Sequence, residues 1–184
     1  MRAAVALVGE RGMTAVPISD IADAADVSRQ LVYLQFGDRD ALLLEAALDL
    51  ARRELLPHLQ DASDELTGRD RALATARHFA DHRSFYRAML IGSCAFAFNE
   101  ALNGLFHPLN RQFAERLLGE GHELGAVHDL ATFLTGGGAA IFNSWVIEGE
   151  DPVDPELFAD RLMRTLSVLS GAAREQTPTG GGPR

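Results

Sequence analysis

The sequence predicts an all-α chain in two parts, a small N-terminal three-helix head containing a helix-turn-helix and a larger helical domain behind it. Three observations carry this. Strand signals, in which apolar and polar residues alternate, are nearly absent, and apolar residues instead recur at helical spacing along most of the 184 residues. Between Ile18 and Leu43 the run ISDIADAADVSRQLVYLQFGDRDALL sets two short amphipathic helices around a tight turn, followed by a third, capped helix. The spacing divides the chain into a head at 1–45, a helical domain at 46–172 and a tail at 173–184 whose TPTGGGPR has the composition of disorder.

The first helix reads as AAVALVGERG after Met1 and Arg2. On the second, Ile18, Ile21, Ala22 and Ala25 share one face, while Asp20 and Asp23 point to the other. Asp26 and Val27 form the turn. Ser28 is placed to cap the next helix, since its hydroxyl can accept from an amide one turn in that otherwise has no partner. Val32 and Phe36 then face the previous helix. Asp38 caps a helix whose apolar spacing through Leu42, Leu48 and Leu55 runs to Pro57, and DASDELTGRD is a polar connection. Arg71–Asp81, Ser84–Leu90, Cys94–Leu118, Gly125–Glu148 and Glu156–Ser170 read as the remaining helices, with Pro108 expected to kink or split the third of these.

This register turns Arg29, Gln30, Tyr33 and Leu34 away from the core, with Leu31 and Gln35 at its borders. Such a set suits the major groove of double-stranded DNA. Arg29 can donate two bonds to the acceptor edge of guanine, Gln30 can pair with adenine, and Leu31 or Leu34 can lie against a thymine methyl. Tyr33, Gln35 and Arg39 better suit phosphate oxygens, which position a protein without reading sequence.

The arrangement of Ile21-Ala22, Ala25-Asp26-Val27-Ser28, Val32-Tyr33, Phe36 and Asp38-Arg39-Asp40-Ala41-Leu42-Leu43 resembles the TetR family of bacterial transcriptional regulators. The family pattern has Gly-Val-Ser at the turn, Leu-Tyr-x-His-Phe in the recognition helix and Ser-Lys-Glu-x-Leu opening the next. Here Asp26 stands for the turn glycine, and Asp tolerates a left-handed backbone better than most residues. Gln35 and Arg39 replace His and Lys and keep a donor for phosphate. Val16 and Pro17 stand where Thr and Ser are usual, so a side-chain cap is missing at the start of the second helix, although Pro is acceptable in a first turn. The first helix lacks the family's basic lead-in.

The resemblance extends to the C-terminal helices, where a Gly-rich helix ending in Trp-x-x-x-Gly, an Asp/Pro turn and an amphipathic helix form the family's dimer interface. It implies a homodimer joined through Gly136, Gly137, Leu157, Phe158, Leu162 and Leu166; a core within the chain would use the same apolar stripe. Three successive glycines cost about 3 kcal/mol against alanine in a helix, so either close helix approach compensates or the helix breaks there. Dimerisation would let two recognition helices read a palindromic operator. The family also holds a small-molecule effector among its middle helices, and here the aromatic-rich segment offers His82, Phe85, Met89, Phe96, Asn99, Phe106, Phe142, Asn143 and Trp145 as ligand-binding candidates. The implied function is a repressor released from DNA by a small, largely apolar ligand. The alternative is a ligand-binding or protein-interaction module of the same fold that no longer binds DNA.

Composition bounds the rest. The net charge is −9, and the head has four arginines against seven acids, a net −3, which weakens the nonspecific phosphate attraction. No apolar run approaches the roughly 20 residues of a bilayer span, and Met1–Gly12 lacks the pattern of a signal peptide, so no membrane partner and a cytoplasmic location are expected. The single cysteine, Cys94, fits a reducing compartment. No nucleophile elbow, P-loop or dinucleotide fingerprint occurs, so neither an enzyme nor a cofactor is expected. His78 and His82 lie four apart, the spacing that puts two imidazoles on one helix face for a metal, but no third ligand is evident nearby; a solvated face is the plainer reading, and no metal is expected.

Overall fold

The computed structural model describes residues 1–60, 68–119 and 122–175, and among them the chain is all-α, with ten helices and no strand. The head comprises α1 (Arg2–Arg11), α2 (Ile18–Ala24) and α3 (Arg29–Phe36). The connector α4 (Arg39–Glu54) leads through the short α5 (Leu56–Gln60) to α6 (Gly68–Asp81) and α7 (Arg83–Ile91). Two long helices follow, α8 (Ala95–Leu118) and α9 (Leu124–Glu148), and the last is α10 (Pro155–Glu175). The connector is unbroken across residue 45, where the sequence spacing divides head from body. Most of the polar connection before α6 and the tail from residue 176 lie outside the described residues.

One apolar core runs through both parts. Ala4 and Val8 of α1, Ile21 and Ala22 of α2, Val32 of α3 and Leu42, Leu43 and Leu50 of α4 join Phe85, Tyr86 and Met89 of α7, Phe98 of α8 and Val146 of α9 in a single cluster. The first helix lies against both α4 and α7, so the head is seated directly on the body. Val16, standing where the family has a polar residue, is fully buried and fills this core.

Arginines on α7 close the end of α9. The last carbonyls of a helix have no partner within it, and cations there are also favoured by the helix dipole. Arg83 donates to the carbonyls of Val146 at 3.0 Å and Gly149 at 2.6 Å, and Arg87 to that of Ile147 at 3.1 Å. Away from the main core, α10 packs on α6 through Ala72, Leu73, Ala159, Leu162 and Met163. Arg69, bonded to Asp160 and Glu156, ties the same two helices at the surface.

Two open alternatives are narrowed and one expectation is revised. The long helix α8 continues through Pro108. Likewise α9 runs unbroken through Gly136, Gly137 and Gly138, and a methyl group built on any of them would meet nothing within 4 Å in the chain. Finally, the stretch Gly125–Glu148 is long and apolar enough to cross a bilayer by length and composition, contrary to the sequence reading, and only 17% of an 18-residue apolar window within it is buried in the chain.

Candidate functional site

The recognition segment is built by local chemistry. Ser28 caps α3 by accepting from the Leu31 amide at 3.1 Å, and Asp38 caps α4 by accepting from Ala41 at 2.8 Å. Asp26 takes φ 53°, the left-handed turn expected of it. The second helix begins at Pro17 with no side-chain cap. Val32 is buried and Phe36 packs against the core, which fixes the rotation of α3. Ala25, which shares a face with Ile21 and Ala22 by spacing, is instead exposed because the turn carries it out of the helix packing, and Val27 of the turn is exposed as well.

That rotation leaves Arg29, Gln30, Leu31, Tyr33, Leu34 and Gln35 exposed together. Leu34 is 83% and Tyr33 54% accessible, large apolar surface with no partner in the chain. Beside them lies an open concavity of about 820 Å³ lined by Pro17, Ile18, Ser19, Ser28, Arg29, Gln30 and Tyr33. The first turns of α2 and α3 both border it, and amide groups at helix starts favour anions such as phosphate. Ser19 was not singled out by sequence; its signal is a hydroxyl residue in a first turn, here donating to Asp20 at 3.1 Å. Asp20 is also held by Arg11 at 2.6 Å, and this bond keeps its carboxyl below the usual range. Arg39 bonds its neighbour Asp40 at 3.1 Å, an exposed pair of little strength that a phosphate can replace. Ser28→Ala is expected to lower stability by about 1 kcal/mol, read by chemical denaturation, with Ser28→Asp retaining most of it through the same cap.

The middle-helix candidates separate. Phe85 and Met89 are buried in the main core, while Phe106, Phe142 and Trp145 pack against it. Asn143 donates to Asn99 at 2.6 Å, joining α9 to α8, and Asn99 donates in turn to the Ala95 carbonyl. Phe96 points outward and is 81% accessible, so it does not join them; the first turn of α8 rotates it away. A second concavity, of about 210 Å³, lies between the end of α9 and the start of α10, lined by Trp145, Leu157 and Phe158 among others.

Of the candidates for a dimer interface, Gly136, Gly137 and Leu157 are exposed. Leu162 and Leu166 are half-buried against α6 and the α8–α9 contact. Phe158 is a correction. It is buried inside the chain, stacked on Trp145 at 4.3 Å between ring centres and set edge-on to Phe142 at 4.6 Å, and so has no surface to offer a partner.

The histidine pair also departs from the solvated face. His78 is buried and its Nε2 lies 2.7 Å from the Tyr86 hydroxyl, while His82 Nε2 donates to Glu54 Oε2 at 2.8 Å. Burial, with the nearby His82 charge, lowers the His78 pKa to about 4, and burial raises that of Tyr86. Sequence spacing missed Glu54, which is distant along the chain and reaches the pair only through the packing of α4.

Residues 1–46 match the family model described as bacterial regulatory proteins, tetR family. A comparison with curated proteins gives no match. The matched segment contains α1, α2, the cap, the turn, the whole of α3 and the start of α4, so the comparison and the geometry meet on the same residues. The N-terminal head is accordingly similar to that of DNA-binding transcriptional regulators of the tetR family, a likeness that covers residues 1–46 of the 184.

Proposed function

We propose that this protein is a cytoplasmic homodimeric repressor that binds a palindromic operator and releases it when a small, largely apolar effector enters among α6–α9. The observation that carries the dimer is α9, an apolar helix in which only 17% of an 18-residue apolar window is buried within the chain. Its glycines open onto space that the chain itself does not fill, and the large apolar side chains of Phe133, Leu157 and Val168 stand exposed on α9 and α10. A second copy of the same surface satisfies all of these, and twofold symmetry presents two copies of α3 to two half-sites. Gly136, Gly137 and Leu157, flanked by Leu162 and Leu166, form the contact in this reading.

In the head, Arg29, Gln30, Leu31 and Leu34 meet base edges, and Ser28, Tyr33, Gln35 and Arg39 meet the backbone. For the effector, the Asn99–Asn143 pair supplies a polar contact beside Phe106, Phe142 and Trp145, with Phe85 and Met89 behind them and His82 at the margin. Selection of bound sequences from random DNA at low salt, with light scattering of the free protein, tests the reading. An enriched palindrome and a mass of two chains are expected. A single chain in solution together with no enriched sequence would overturn it.

A further inference from the structure

The helix connecting head and body ends in a carboxylate that meets two imidazoles. Glu54 is the last residue of α4, His78 lies in the last turn of α6, and His82 sits at the junction of α6 and α7. One donor atom from each falls within 4.8 Å of the others. Zinc holds nitrogen and oxygen donors at about 2.0 to 2.2 Å in a tetrahedron, which places ligand atoms about 3.4 Å apart, so side-chain rotations that draw the donors together by up to about 1.4 Å would close the set.

We propose that Glu54, His78 and His82 form a binding site for a divalent transition metal, with Zn2+ as the ion best suited to two imidazoles and one carboxylate. The site stands apart from the DNA face and shares only His82 with the margin of the proposed effector region.

The chemistry at each donor is consistent with an ion. His82 Nε2–H now donates to Glu54, and an ion between these atoms takes the place of that shared proton, which leaves as the metal arrives. Metal-bound imidazoles normally hold their second nitrogen on an outer partner that fixes the ring. Tyr86 is such a partner for His78. In the tautomer where His78 Nε2–H donates to the Tyr86 hydroxyl, the other ring nitrogen carries the lone pair for the ion.

Access and coupling also fit. Glu54 and His82 are partly open to solvent, whereas His78 is buried, so the set has one mouth and one fixed floor. His58, four residues beyond Glu54, lies close enough for its charge to act on His78 but is not one of the three residues whose donor atoms come together. An ion here ties the end of the connector α4 to the α6–α7 junction, which Glu54 otherwise reaches, among the described residues, through its bond to His82.

The test uses the full chain without an affinity tag, stripped with chelator and titrated with Co2+ as a spectroscopic substitute for Zn2+. One ion per chain is expected, with visible absorption of a four-coordinate site and displacement by Zn2+. Glu54→Gln and His82→Ala alter exposed side chains and should leave the fold intact by circular dichroism, yet each should weaken Co2+ binding by about 10-fold or more. Hydrogen exchange of the wild-type chain should slow around residues 54–58 and 78–86 on adding Zn2+. No saturable binding by the wild-type chain would overturn the proposal. So would equal binding by the folded Glu54→Gln and His82→Ala variants, or binding lost instead on His128→Ala, since His107 and His128 form a separate pair with ring centres 6.1 Å apart.

Discussion

Arg29→Ala is expected to lower affinity for the selected operator by up to about 100-fold, equivalent to about 3 kcal/mol, and to relax preference at one base position in each half-site. The argument starts from the cap. Ser28 fixes the first turn of α3, and Arg29 is the first residue of that helix, exposed beside the concavity shared with α2. Among the described residues no ion pair ties it down, so its planar donors are free for the two acceptors of a guanine edge. Arg39 differs, being already turned to Asp40 at the start of the next helix. Arg39→Ala should therefore weaken all sequences alike and by less. Binding of each variant to the operator and to single-base variants of it separates the two roles; equal loss at every sequence for both arginines would refute the division.

The second large effect is a loss of stability in acid, measured in the presence of chelator so that no ion occupies the histidines. In the unfolded chain His78 titrates near 6.5, whereas in the folded protein burial, with the charge on His82 close by, holds it to about 4. Above pH 6.5 both states are neutral and the full stability is present. As the pH falls from 6.5 towards 4 the unfolded chain takes up a proton that the folded one refuses, and stability declines by about 3 kcal/mol before levelling. The charges of Glu54, His58 and His82 act on His78, so the comparison that isolates it is with His78→Gln, which retains an acceptor for Tyr86 but has no proton to gain. Denaturant unfolding at a series of pH values should show a shallower acid slope for this variant. Parallel profiles for the two proteins would show that His78 is not the group responsible.

The sequence was most legible where the chemistry is local. The cap at Ser28, the cap at Asp38, the left-handed Asp26 and the outward face of α3 each depend on residues a few positions apart, and each is found as read. Legibility fell where the answer depends on what a helix meets. An apolar stripe on α10 looks the same whether it faces its own chain or another, and only the packing shows that Phe158 is enclosed by Phe142 and Trp145 while Leu157 beside it is exposed. Phe96 shows the converse, an aromatic residue that composition assigns to the interior and the first turn of α8 turns outward. The Glu54–His82 contact joins residues 28 apart in sequence, a separation at which no periodicity carries information.

The single core has a consequence for how the molecule can be divided. Because Ala4 and Val8 of α1 share their interior with Phe85 and Tyr86 of α7, the segment recognised as a family module is not a unit of folding. Cut after residue 46, it would present to water the face that α7 now covers and would lack much of what holds α3 at its angle. The head is thus continuous with the interior of the body, and α1 rests directly on α7 as well as on the connector α4.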